Sequence, residues 1–326
     1  MITEAQIFIT RKCNNRCKYC ALTQKNLPER ELTTEEWKRT FTIMDNIGIK
    51  ALKILGGEPT VLEDLPEILR FLNEETDIDY AILSNSIIPR EKLERLVEVG
   101  LKGYFASVDN IDGLKSVDSY STRKSHLAID VLDFLKRRGV KLLGANTVIH
   151  RGNLRNLPII LEFLTGMGIW MNICAMHYGN EDINWIFRSE YSELALRPKD
   201  TQLVKEIMEK LKEMKHAGYM LACPDSYLDG FPEYGIGLNW KCGEFSQLRV
   251  DADGSLLLCP DLRGEMSRFN ILEIGENDQY LSEIEEAWYK DPERARCPGC
   301  YWSSMYRAEV NKKIGGEFQF SKEIKT

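Results

Sequence analysis

Ala5-Gln6-Ile7-Phe8-Ile9-Thr10-Arg11-Lys12-Cys13-Asn14-Asn15-Arg16-Cys17-Lys18-Tyr19-Cys20 is the stretch from which the rest of the chain is read. Residues 5–10 are an apolar run of strand length, and three cysteines follow directly, with three and then two residues between them. A strand-end loop that presents three thiolates can hold three irons of a cubane cluster and leave the fourth iron without a protein ligand. An open iron suits a reaction in which a substrate or cofactor must bind the metal. Structural zinc is the alternative. It wants four closed ligands, so a distant residue would have to complete the set.

Outward from this loop, strand-length apolar runs at residues 51–55, 80–84, 104–108, within 140–149 and at 169–175 alternate with helical patterns. The helical patterns cover residues 34–47, 65–73, 91–99, 126–138, 158–167 and 198–217. Thr33-Thr34-Glu35-Glu36 offers a capping box for the first of them. Strict alternation predicts a parallel sheet covered by helices. Six strand–helix units suit a doubly wound sheet or a partial barrel, and in both the working residues sit at the C-terminal ends of strands. The pattern breaks near residue 220. Gly and Pro become dense, and residues 247–250 and 255–258 flank Asp251-Ala252-Asp253-Gly254, which predicts a hairpin. The expected division is residues 1–225 and 226–326.

A second motif, Gly56-Gly57-Glu58-Pro59, follows the second strand. Two glycines permit a close backbone approach to a ligand, and a carboxylate can accept hydrogen bonds from an ammonium group. A plain turn before a helix would look the same in isolation. Its place beside the cysteine loop gives it weight. Together, Cys13, Cys17, Cys20 and Gly56–Pro59 resemble the CxxxCxxC and GGEP motifs of the radical SAM family, over roughly residues 5–220. The resemblance implies an α/β fold, a partial (β/α)6 TIM-like barrel. It implies a [4Fe–4S] cluster at Cys13, Cys17 and Cys20 that binds S-adenosylmethionine (SAM) and cleaves it reductively. The 5′-deoxyadenosyl radical so formed abstracts a hydrogen atom from a substrate. It also implies Tyr19 near the adenine, Gly56, Gly57, Glu58 and Pro59 at the SAM amino group, Ser84 and Asn85 near the ribose, and Ser107 and Asp109 lining SAM. Ordinary strand-end capping is the alternative for those last four residues.

Cys242, Cys259, Cys297 and Cys300 make a second set of four, and four thiolates close a [4Fe–4S] site or a zinc site equally well. The run from Cys242 to Gly254-Ser255-Leu256-Leu257-Leu258-Cys259, with the Cys297–Cys300 pair, resembles the C-terminal SPASM extension of that family. No cysteine follows Cys300, which matches the shortened twitch form. The implied cofactor is one auxiliary [4Fe–4S] cluster in a small C-terminal domain that contains the hairpin. Cys174 and Cys223 remain. Either could donate a hydrogen atom to a substrate radical, and either could be a small buried hydrophobe. Cys223 is the better placed on the expectation that residues near 220 lie over the barrel mouth. His177 reads as structural.

The net charge of −7 and pI near 5.4 carry no basic surplus for nucleic acid. No run is long enough to span a bilayer, and Met1–Gln6 lacks the regions of a signal peptide, so a cytoplasmic enzyme is expected. Nine cysteines, an odd count, fit metal rather than disulfides in that compartment. The expected partners are an external one-electron reductant such as flavodoxin or ferredoxin and a peptide or protein substrate. A small polyol or aminosugar is the second choice, and a non-enzymatic electron carrier is the alternative from another class. The chain starts almost at its first strand, so a leader-peptide recognition domain is not expected before it.

Overall fold

Residues 2–17, 19–20, 30–111, 119–179, 188, 192–274 and 278–313 are described in a computed structural model. β1 (Glu4–Phe8), β2 (Ala51–Leu55), β3 (Asp79–Ser84), β4 (Gly103–Ser107), β5 (Leu142–Ile149) and β6 (Trp170–Ala175) pair in sequence order, all parallel. α1 (Thr34–Asn46), α2 (Leu65–Glu75), α3 (Arg90–Glu98), α4 (Ser119–Arg137), α5 (Leu157–Gly166) and α6 (Thr201–His216) connect or follow them. The predicted alternation is therefore the fold, an α/β half-barrel.

Local sequence explains the boundaries. Thr33 caps α1 through the expected box, with its hydroxyl accepting from the Glu36 amide and the Glu36 carboxylate accepting from the Thr33 amide. Gly48 ends that helix at φ 88°, a conformation in which a Cβ would be strained. Side chains alternate across each strand. Ile7, Leu52, Ile54, Tyr80 and Tyr104 face the helices, in a core shared with Trp37, Phe41 and Leu69. Phe8 and Leu55 turn to the concave face, where they meet Leu257, Leu83 and Cys20.

One strand was not expected in this sheet. The first arm of the predicted hairpin, β7 (Leu248–Val250), joins the free edge of β1 in parallel, with Ala5 opposite Leu248 and Ile7 opposite Val250. The turn still forms, since the Asp251 amide donates to the Ser255 carbonyl at 2.8 Å and Val250 bridges Leu256. An exposed edge strand carries unpaired N–H and C=O groups, and β7 pairs those of β1. The sheet thus has seven strands in the order β6-β5-β4-β3-β2-β1-β7.

The C-terminal region also spans the gap between the two sheet edges. α10 (Ser303–Lys313) follows α7 (Asp225–Gly230), α8 (Asp278–Lys290) and α9 (Pro292–Arg296). Its first turn touches both edges, with Ser303 3.4 Å from Asn172 of β6 and Met305 against Arg249 of β7. No helix among the described residues is long and apolar enough to cross a membrane.

Candidate active site

The two motifs meet through their backbones. The Gly57 amide donates to the Thr10 carbonyl at 2.7 Å and the Glu58 amide to the Lys12 carbonyl at 2.8 Å, one residue before Cys13. A Cβ on Gly56 would lie 2.3 Å from the Thr10 carbonyl oxygen, and one on Gly57 2.2 Å from that of Lys12. The glycines therefore let this turn lie against the approach to the cysteine loop. The sequence had assigned that closeness to a ligand.

Glu58 is buried, and its carboxylate is held by four donors. Oε1 accepts from the Ser84 hydroxyl at 2.8 Å, the Thr60 hydroxyl at 2.7 Å and the Thr60 amide at 3.1 Å, and Oε2 accepts from the Asn85 amide at 2.6 Å. Burial pushes its pKa up against those donors. The Asn85 side chain turns to the cysteine loop, 2.9 Å from Asn14 Oδ1 and 3.8 Å from Cys13 Sγ. Ser86, next along, sits at φ 63°. Non-glycine residues in that region concentrate at functional sites. Ser84 and Asn85, expected at a ribose, are thus engaged with Glu58 and the loop. Pro59 opens a buried single turn that fixes Glu58.

The loop is suited to thiolates. The Asn15 amide donates to Cys13 Sγ at 3.4 Å, and the Asn15 side chain to Cys17 Sγ at 3.3 Å. Such N–H···S contacts stabilise and tune cluster sulfurs. Tyr19 donates its hydroxyl to Asp109, and Lys124 of α4 donates to both, at 2.8 Å to Tyr19 and 3.1 Å to Asp109. Asp109 also accepts from the Val148 amide at 2.9 Å. Burial works to raise the Asp109 carboxyl, but Lys124 and Tyr19 outweigh it and hold it below the usual range. Lys124 is within electrostatic reach of Cys17 and Cys20. Sequence reading missed it because a lone lysine in an amphipathic helix carries no signal. Ser107 ends β4 in register with Asn146, which is in register with Asn172, a polar row across three strands.

Cys242, Cys297 and Cys300 lie within electrostatic reach of Cys259, whose thiol is raised by burial and also by Asp261 and those three thiols. Among the described residues no three His, Cys, Asp or Glu side chains form a group that could hold a single metal ion. A cubane instead takes one thiolate on each iron, and the donor chemistry of both sets fits it. Beside the second set, Asp261 accepts from His177 Nδ1 at 3.0 Å, Arg188 Nε at 2.8 Å and Trp302 Nε1 at 3.1 Å. His177 Nε2 accepts from the Tyr301 amide at 3.3 Å, so its proton is on Nδ1 and the ring is neutral, in keeping with a pKa lowered by burial. His177 ties the end of β6 to the cysteine region, a structural role.

Cys223 departs from its expected place. It is 1% exposed in the core, where Sγ accepts from the Ile173 amide at 3.5 Å and lies 3.6 Å from Asn172 Oδ1. The reason is that residues 220–222 run beside β6, bonded through Met171, so Cys223 backs onto the strand rather than covering a mouth. Burial raises this thiol to about 11. Cys174 lies in register with Val148 at the C-terminal end of β6 and within electrostatic reach of Asp109, and burial raises its thiol to about 12.

Residues 7–164 match the radical SAM superfamily. A PqqA peptide cyclase of Granulibacter bethesdensis is 30% identical over 237 residues, covering 67% of this chain and 58% of that protein. A probable GTP 3',8-cyclase of Pyrococcus horikoshii is 26% identical over 321 residues, covering 93% and 96%. The chain spans 55–58% of the length of several curated relatives that it matches. A solved structure of native anSMEcpe with bound AdoMet and Cp18Cys peptide shares the fold at TM-score 0.55 and 17% identity, over 96% of this chain and 97% of that one. The two motifs meeting at the ends of β1 and β2, together with the family match, establish that residues 7–164 of this chain form a domain of the radical SAM superfamily, which works with a [4Fe–4S] cluster and SAM.

Proposed function

We propose that this chain cleaves SAM reductively at a cluster held by Cys13, Cys17 and Cys20, and that the radical acts on a peptide or protein. The observation that carries the reading is the seat of Glu58. Its buried Oε2 has, among the described residues, one donor, the Asn85 amide, and the carboxylate is fixed one hydrogen bond away from the cysteine loop. When bound, a reduced cluster would supply one electron to SAM, whose S–C5′ bond would break to give methionine and a 5′-deoxyadenosyl radical. Glu58 takes the ammonium group of SAM, and Ser84, Thr60 and Asn85 orient it. Tyr19, held by Asp109 and Lys124, presents its ring to the adenine. Phe8, Leu55, Leu83 and Leu257 keep water from the concave face.

Cys242, Cys259, Cys297 and Cys300 hold an auxiliary cluster. When bound there, the cluster would supply a one-electron acceptor for the substrate radical, which loses a proton to solvent, so that the substrate is oxidised by two electrons overall and its hydrogen atom ends in 5′-deoxyadenosine. The initiating electron comes from an external carrier such as flavodoxin or ferredoxin. Peptide substrates are supported by the peptide named with one fold neighbour and by the peptide cyclases among the relatives. A small-molecule substrate is favoured by a different observation: the relatives matched over nearly their whole length are named as GTP cyclases.

The test is anaerobic incubation with SAM and a chemical reductant, reading 5′-deoxyadenosine by mass spectrometry. The wild type is expected to make it. The C13A/C17A/C20A variant is expected to make none while retaining about half the iron. 5′-Deoxyadenosine from that variant overturns the reading. GTP-dependent stimulation in the wild type would replace the peptide with a nucleotide.

A further inference from the structure

We infer that Arg249 is the counter-cation of the auxiliary cluster, a positioning residue of the second cysteine set that raises its reduction potential. This rests on the reading that Cys242, Cys259, Cys297 and Cys300 hold an iron–sulfur cluster.

Arg249 is the middle residue of β7, opposite Gln6 of β1, and is 1% exposed. Its Nη1 donates to the Gln247 carbonyl at 3.2 Å, and its Nη2 to Gln247 Oε1 at 3.3 Å and toward Met305 Sδ. Among the described residues Nε has no partner, and no carboxylate pairs with the guanidinium. Glu4, which reaches it electrostatically, is bound to Lys53 at 3.1 Å and to Gln247 at 2.6 Å.

Among the described residues the other buried lysines and arginines are all matched. Arg11 pairs with Asp251, Lys53 with Glu4, Lys92 with Glu63, Lys124 with Asp109 and Arg188 with Asp261. A buried charge without a partner is strongly unfavourable, so an anion is missing from this environment. Apart from Glu4, already bound to Lys53 and Gln247, the groups within electrostatic reach of the guanidinium that can become anionic include Cys259, Cys242 and Cys300. Metal binding deprotonates thiols outright, and a cubane on four thiolates carries net negative charge. That charge is the missing partner. A fixed cation favours the more negative, reduced form, so it raises the potential.

The experiment uses full-length chain carrying C13A/C17A/C20A, which leaves only the auxiliary set, with Arg249 intact or replaced by Lys or Met. Iron and sulfide content and the midpoint potential from an EPR-monitored titration are read. Arg249→Met is expected to lower the potential clearly and Arg249→Lys to stay near the parent. A fully loaded Arg249→Met variant with an unchanged potential overturns the inference. If Arg249→Met holds no cluster, Arg249→Lys decides: recovery of the cluster supports the counter-cation, and its absence overturns it. A parent protein with no iron–sulfur cluster refutes the cysteine reading itself, a failure distinct from the others.

Discussion

The two cysteine sets differ most in the charge that surrounds them. The first is one loop after β1, and the cation near it, Lys124, is neutralised by Asp109 at 3.1 Å. The second is gathered from three separate places in the C-terminal region, Cys242, Cys259 and the Cys297–Cys300 pair, and of the cations within reach of it Arg188 is bound to Asp261 while Arg249 has no carboxylate partner among the described residues. Cluster potential follows net charge and hydrogen bonding around the sulfurs. On the proposed reading, the matched Lys124–Asp109 pair would leave the first cluster a strong reductant and the unmatched Arg249 would make the second a better electron acceptor, so that an electron would enter at one site and leave at the other.

Breaking the neutral side should give the largest effect. Lys124→Met leaves Asp109 buried and unpaired, and losing one partner of a buried pair costs about 3–5 kcal/mol. Denaturant unfolding should show a loss of that order, and Lys124→Met with Asp109→Asn should recover much of it. An unchanged midpoint in the single variant would remove the contrast on which the comparison stands.

Gly57→Ala comes next. Its Cβ would lie 2.2 Å from the Lys12 carbonyl oxygen, which is backbone and cannot swing away. Overpacking of this kind typically costs about 1–3 kcal/mol. The damage should be local, with iron lost from the first set and the second set still loaded. Equal loss from both sets would show that the glycine turn does not serve the first loop alone.

A smaller and more specific effect is expected from Glu58→Gln. A hydrogen bond to a charged group is worth about 1.5–3 kcal/mol, or roughly 10- to 150-fold in SAM affinity, measured by equilibrium binding to the reconstituted protein. The Glu58 carboxyl is raised, chiefly by burial, and only its ionised form attracts an ammonium group. Wild-type affinity should therefore fall as pH is lowered through that raised value, and the Gln variant should lack that dependence. Parallel pH profiles would speak against the role.

The smallest effect should come from Cys223→Ala, about 1 kcal/mol of stability, in the ordinary range for a single substitution, with product formation intact. Cys174→Ala should likewise leave an oxidative reaction running. Turnover in deuterated water checks both. Solvent deuterium at carbon in the wild-type product, lost in either variant, would make that thiol a hydrogen donor and the enzyme an epimerase.

Much of this was local and therefore legible. Alternation of short apolar runs with helical periods was enough for a parallel α/β sheet, because strand and helix patterns depend on neighbours two to four residues apart. The spacing of Cys13, Cys17 and Cys20 and the Gly56–Pro59 turn were readable for the same reason. Tertiary contact decided the rest. The turn at Asp251–Gly254 is local, but β7 also pairs with β1, Ala5 opposite Leu248, a separation in sequence that no local pattern spans. Cys223 entered the core because residues 220–222 bond to Met171. Whether a buried cation is neutralised depends on which carboxylate folding brings beside it. Lys124 met Asp109 and Arg249 met none, and the low dielectric of the interior makes that difference count.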